Sequence, residues 1–194
     1  MSDAPIEDGP IRDEPFHPEV EQSELVYEGA VWDVRRDTVA YGDGSMVREY
    51  VDHTGAVVIY AEDDEGRVLV IQQYRHPIRK RDWELPAGLL DQEGEEPLEA
   101  AKRELSEEAD LEADSWEPLV SFHTSPGGND EVLHVYRAQG VRATGDAFDR
   151  EAEEADIVKR WVPRSEIIDG ALDGRLSNSI LLLAAFAAEA ADRR

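Results

Sequence analysis

No cysteine occurs among the 194 residues, which rules out a disulfide framework and thiol catalysis. Basic residues are scarce as well. Twenty Lys+Arg stand against 45 Asp+Glu, for a formal charge of −25. A polyanion such as nucleic acid, or an anionic membrane surface, is repelled by such a chain. The apolar run at 180–188 is too short to cross a bilayer. The opening MSDAPIEDGPIRDEP lacks the basic stretch and apolar run of a secretory signal. These absences imply a cytoplasmic protein with no nucleic-acid or membrane partner. The acidic, lysine-poor surface resembles that of proteins from salt-loving cells, where dissolved salt screens self-repulsion.

Acid itself is abundant, and in one place it is concentrated. Residues 88–111, GLLDQEGEEPLEAAKRELSEEADL, place Arg103, Glu104, Glu107 and Glu108 in one short helix behind a Pro-Ala-Gly turn. A helix advances about 100° per residue, so Glu104 and Glu108 stack and Glu107 projects beside them. Like charges at this spacing repel unless a cation lies between them. A solvated face is the ordinary explanation for a glutamate run in so acidic a chain. Position on the helix argues otherwise. Leu98, Ala101, Leu105 and Ala109 form the apolar stripe, and Glu108 lies at its edge with Glu104 next. A carboxylate on the margin of a core costs desolvation energy unless it is paired or bound to metal. Oxygen ligands of this kind suit Mg²⁺ or Mn²⁺, which commonly share their shell with phosphate.

The run resembles the Nudix box, G-x5-E-x7-R-E-U-x-E-E-x-G-U with U aliphatic. Gly88, Glu95, Arg103, Glu104, Leu105, Glu107, Glu108 and Leu111 fill it. Two departures stand out. Six residues, not five, separate Gly88 from Glu95, and Asp110 replaces the closing glycine. Asp tolerates the left-handed conformation that ends such a helix, so a small stability cost is expected. Flanking segments at 72–75, 83–88 and 125–131, with Pro126 beyond the box, are similar to the ADP-ribose pyrophosphatase branch. The resemblance implies that Glu104, Glu107, Glu108 and the Ala87 carbonyl hold metal, with Arg103 and Glu108 in the catalytic set. It also sets Gly88, Pro126 and Gly127 along the substrate, with the 125–131 loop near a terminal ribose. In this branch the general base often comes from a late acidic loop. Residues 150–157 resemble it, so Glu153 is the first candidate and Glu154 the second.

A second signal is independent of any family. Arg75, Arg79, Lys80 and Arg81 put four of the chain's 20 basic residues into seven positions. In an acidic protein such an island marks a place that holds an anion, although local pairing with Asp82 and Glu84 explains the last three equally well. Arg75 resembles a pyrophosphate-binding arginine of the family and can donate two parallel hydrogen bonds to phosphate. Arg48 is a weaker candidate of the same kind. Trp32, Tyr27 and Tyr74 are candidates to stack on a base, though strand aromatics are more often core. The histidines show no metal-ligand spacing.

Length and order of elements complete the expectation. Residues 1–22 are acidic and proline-bearing, an arm outside the fold. Strands are expected at 24–27, 31–41, 46–52, 56–61 and 68–74. They continue at 117–124, 132–138 and 157–162. Turns fall at 42–45 and 63–66. Pro163 opens a short helix, and Ser177 or Asn178 caps the last, which runs to about Ala191. This is an α/β chain: a Nudix-type α/β/α sandwich around a mixed sheet over 55–194, with an N-terminal β subdomain over 23–54. By resemblance, that subdomain mediates a homodimer. The implied activity is Mg²⁺-dependent hydrolysis of ADP-ribose, or a related nucleoside diphosphate sugar, to AMP and a sugar phosphate. Rival readings are another sugar nucleotide or dinucleotide as substrate, or a sensor that binds without cutting. The retained box carboxylates disfavour the sensor.

Overall fold

The structure, a computed structural model, describes residues 10–145 and 157–194, and it divides the chain into two compact units, Met1–Tyr50 and Val51–Arg194. The first unit carries a three-stranded sheet ordered β1 (Val20–Tyr27), β2 (Asp33–Tyr41), β3 (Gly44–Asp52), the last strand running on into the second unit. Gly42, at φ 60°, turns β2 into β3. A two-residue hairpin turn calls for that left-handed backbone, which glycine adopts without strain.

The second unit is built around β4 (Ala56–Ala61), every residue of which is buried. Side chains alternate across a strand, so the run AVVIYA feeds two separate cores. Ala56, Val58 and Tyr60 pack with Ile167 of α2 (Arg164–Leu172) and Leu181, Ala184, Ala185 and Ala188 of α3 (Ser179–Ala191). Val57, Ile59 and Ala61 pack with Ala100, Ala101, Leu105 and Ala109 of α1 (Pro97–Ala109). A strand covered on both faces needs a continuous apolar run rather than an alternating one. The four-stranded sheet is ordered β7 (Ala87–Leu89), β4, β9 (Val132–Ala143), β8 (Leu111–His123). It is mixed: β4 runs parallel to β9 and antiparallel to β7, while β8 is antiparallel to β9. A second sheet, β10 (Val158–Pro163), β5 (Arg67–Arg75), β6 (Lys80–Glu84), is antiparallel throughout. Helix α1 thus covers one side and α2 with α3 the other, the α/β/α sandwich expected from sequence.

Local chemistry explains the helix ends. Asn178 caps α3, its Oδ1 accepting from the Ile180 and Leu181 amides at 3.1 and 3.0 Å. Pro163 precedes α2 and Pro97 opens α1, where a missing N–H costs nothing. Asp110 ends α1 at φ 59°, the left-handed conformation glycine would otherwise supply. No helix of the described residues is long and apolar enough to cross a membrane.

Several features differ from the sequence expectation; β1 begins at Val20, within the segment expected to be an arm, and β9 runs on to Ala143 rather than ending at 138. Strands β6 and β7 have no apolar run to announce them, since KRDWE and AGL take their strand form from pairing with β5 and β4. Strand β8 starts at Leu111, not at 117, because Leu111, Ala113 and Trp116 pack into the α1 core while acids between them face out. In α1 it is Ala100, not Leu98, that joins the buried set.

Candidate active site

Two elements frame the acidic helix. Pro86 accepts a hydrogen bond from the Ile59 amide at 2.8 Å, and Ala87 and Gly88 pair with Val58 and Val57 on the central strand. The Pro-Ala-Gly turn is therefore fixed to the rigid middle of the fold. From there the Ala87 N–H donates to Glu108 Oε2 at 2.9 Å. Glu108 is 8% exposed, which bears out the reading that it lies at the margin of the core. Gly88 is needed for a different reason: a Cβ there would overlap the Glu104 carboxylate. Ala87, Gly88, Glu104 and Glu108, separate in sequence, are thus gathered at one place.

Arg103 answers part of the charge problem that the sequence posed. Its Nε and Nη2 donate to the two oxygens of Glu95, both at 3.0 Å. Its Nη1 donates to Glu104 Oε1 at 2.6 Å and to Glu107 Oε2 at 3.1 Å. The guanidinium is stabilised as a cation, first by the Glu95 hydrogen bonds, and Glu95 in turn is held below the usual carboxylate range by Arg103. Arg103, a catalytic candidate from sequence, thus links Glu95, Glu104 and Glu107. Glu95, given no role from sequence, is its anchor; the eight-residue spacing inside the box was the available signal.

The carboxylates of Glu95, Glu104, Glu107 and Glu108 gather around the Arg103 guanidinium and the Ala87 amide and, among the described residues, outnumber that cation. Among the described residues no three acids or histidines form a ready-made cage for an ion. A small hard cation such as Mg²⁺ takes oxygen ligands and completes its shell with phosphate and water. The donor set, carboxylate oxygens along one helical edge with a neighbouring backbone turn, fits such an ion.

Arg75 lies at the end of β5, half exposed, and grips a carboxylate at the far end of β6. Its Nε and Nη2 donate to Glu84 Oε1 and Oε2 at 2.8 and 2.6 Å. Glu84 is buried and three residues ahead of Ala87. Sequence proximity suggested Asp82 and Glu84 as partners for Arg79, Lys80 and Arg81. Asp82 accepts from the Asn178 side chain at 3.1 Å, tying β6 to the cap of α3. Arg79 takes a left-handed turn conformation at φ 53°, and it, Lys80 and Arg81 are exposed.

The 125–131 loop is tied to residues 51–55. Val51 N–H donates to the Gly128 carbonyl at 3.0 Å, and His53 N–H to Asp130 Oδ1 at 2.9 Å. The His53 ring, read as ordinary from sequence, is enclosed: Nδ1 accepts from the Gly55 amide at 2.9 Å and Nε2 lies 3.4 Å from Glu131. The same segment reaches the box, because Leu90 N–H donates to the Gly55 carbonyl at 3.0 Å. Pro126 and Gly127 are exposed at the tip. Arg48 and Trp32 belong to the N-terminal unit; Arg48 donates to its neighbour's carbonyl, Val47 O, at 2.8 Å, and Trp32 is half exposed. Glu153 and Glu154 lie outside the described residues.

Known proteins resemble this chain. An ADP-ribose pyrophosphatase of Mycobacterium tuberculosis is 44% identical over 169 residues, covering 87% of this chain and 81% of that protein. A methanol dehydrogenase activator of Bacillus methanolicus is 37% identical over 146 residues, covering 74% and 78%. The crystal structure of an ADP compounds hydrolase shares the fold with a TM-score of 0.76 at 21% identity, over 92% of this chain and 95% of that one. Residues 52–182 match the NUDIX domain, a family that generally uses divalent metal ions. The match runs from the segment that ties the 125–131 loop, through the carboxylate helix, into α3, and the chain belongs to the NUDIX family.

Proposed function

We propose that this chain hydrolyses the pyrophosphate bond of ADP-ribose or a related nucleoside diphosphate sugar. From ADP-ribose the products are AMP and ribose 5-phosphate. The observation that carries the reading is the convergence of the Ala87–Gly88 turn on Glu104 and Glu108. The relative named as an ADP-ribose pyrophosphatase supports the substrate.

Glu104, Glu107, Glu108 and the Ala87 carbonyl are the ligands proposed for Mg²⁺, with Mn²⁺ as the alternative. Bound there, the metal supplies charge neutralisation for the diphosphate and acidifies a water for in-line attack. The chain's own residues do the rest. Arg103 holds Glu104 and Glu107 in place. Glu84 aims the Arg75 fork, which presents parallel donors to phosphate oxygens. Glu153, or failing it Glu154, takes the proton from the attacking water. Gly88, Pro126 and Gly127 lie along the substrate, the loop of the last two toward the terminal ribose; Arg48 is a second arginine for the phosphates and Trp32 an aromatic for the base.

The N-terminal unit is proposed to form a homodimer. All eight residues of β1 are exposed, with Leu25, Val26 and Tyr27 among them and Val31 and Trp32 beyond. Exposed apolar side chains gathered in this way support an interaction surface. The proposed setting is the cytoplasm.

Product analysis over a panel of nucleoside diphosphate sugars and dinucleotides, with and without Mg²⁺, tests the reading. Cleavage of ADP-ribose only with metal is expected, with loss of that turnover in Glu108→Gln. Glu153→Gln should slow turnover with affinity nearly intact. Binding of ADP-ribose without products would favour a sensor instead.

A further inference from the structure

The one box position whose residue type departs from the family pattern, Asp110, sits at a junction. Its backbone, at φ 59° and ψ 38°, is one that glycine would adopt with less strain. What aspartate adds is a side chain. Asp110 Oδ2 accepts from Lys159 Nζ at 2.8 Å, and the same ammonium donates to the Ala109 carbonyl at 2.8 Å. The Asp110 carbonyl accepts from the Thr144 amide at 2.9 Å, while its own N–H reaches the Ser106 carbonyl at 3.0 Å.

The end of α1, the first residue beyond β9 and the second residue of β10 therefore meet at one residue. The pair is partly shielded, with side-chain exposures of 30% for Lys159 and 26% for Asp110. A cation on the last carbonyls of a helix also complements its dipole. The turn closed in this way, between the Ser106 and Ala109 carbonyls, is the one that carries Glu107 and Glu108.

We propose that Asp110 and Lys159 are positioning residues for the proposed reaction. They fix the last turn of α1, and with it Glu107 and Glu108, against β9 and β10. They also hold at one point the two ends of the chain that leaves at Thr144 and returns at Lys159. Neither touches substrate. The inference rests on the site reading proposed above.

The test compares Lys159→Met, Lys159→Arg, Asp110→Asn, Asp110→Gly and the double variant Asp110→Gly/Lys159→Met. Amide exchange at Asp110 and Thr144, melting temperature, and kcat and KM are measured. Lys159→Met and Asp110→Asn should speed exchange at both amides by about tenfold and lower kcat roughly ten- to hundredfold, as small misplacements of catalytic groups do. KM should stay within about threefold on the same argument. Lys159→Arg should restore both readouts. Asp110→Gly relieves backbone strain, so its melting temperature should stay near wild type while kcat falls. The double variant should lose no more than Lys159→Met alone, because that change already removes the contact with Asp110.

Unchanged exchange in Lys159→Met would overturn the junction. Faster exchange with kcat unaltered would overturn the positioning role. Exchange needs no substrate, so it decides the junction even if the wild type cleaves none of the panel, an outcome that would instead sink the proposed activity.

Discussion

Glu84, buried on β6, holds the guanidinium of Arg75 on β5 through parallel hydrogen bonds of 2.8 and 2.6 Å. A carboxylate in that setting is costly by itself, and its arginine partner offsets the cost. The pairing also limits where Arg75 can reach. Glu84→Gln keeps the shape but loses the charge and one acceptor. A rise in KM of about tenfold, or about 1.4 kcal/mol of lost binding, is expected. An unchanged KM would mean that Arg75 does not meet the diphosphate.

Gly88→Ala tests the contact between turn and helix. The added methyl would occupy the place of the Glu104 carboxylate, a flexible end that can swing aside. Stability should therefore change little, with the melting temperature within a few degrees, roughly 1 kcal/mol. Metal-dependent turnover should fall about a hundredfold or more, since the carboxylate is displaced from its working position. Full activity would remove Glu104 from the mechanism.

Arg103→Gln separates charge from chemistry. Without the guanidinium, Glu95, Glu104 and Glu107 lose a shared partner and face one another. The variant should melt well below wild type in EDTA. Added Mg²⁺ should recover part of the loss, because a bound ion stabilises the state it binds. Equal deficits with and without metal would separate this cluster from the ion.

Acid stability should report on Asp192, which receives hydrogen bonds from Arg137 at 2.6 Å and Arg164 at 2.7 Å. These hold its carboxyl below the ordinary range. A depressed folded value stabilises the protein above the unfolded pKa, near about 4, and the contribution is lost as pH falls through the lower folded value. Asp192→Asn should cost about 1 kcal/mol at neutral pH. That gap to wild type should close below about pH 4. A gap that widens in acid would refute the assignment.

Salt is the remaining lever. With a formal charge of −25, self-repulsion should weaken as ions screen it over distances of about 3 Å at 1 M. Melting temperature should rise in molar KCl. A flat or falling curve would remove the resemblance to proteins of salt-loving cells.

Much of the fold was legible along the chain because burial leaves a period. The run AVVIYA, packed on both faces, could be read as a strand, and the stripe through Ala101, Leu105 and Ala109 as a helix face. Pro163, by its fixed backbone, and the Ser177-Asn178 pair, by its capping oxygens, announced the last two helices, and the structure gives the cap to Asn178. The strand KRDWE could not be read, since its conformation comes from the register that sets Ile71 opposite Glu84. The first half of β8 was hidden for a similar reason: its acids face outward and dilute the apolar signal of Leu111, Ala113 and Trp116.

The amino-acid order by itself determined the local terms of this protein: which residues could cap, turn, line a face or carry negative charge along one edge of a helix. Those terms depend on neighbours within a few positions, so they survive in a one-dimensional reading. Tertiary structure alone decided the pairings. Arg103 is shared among Glu95, Glu104 and Glu107, Glu84 takes Arg75, and Lys159 closes on Asp110 across 49 positions. A charge finds its partner by distance in space, and only packing of the strands and helices sets that distance.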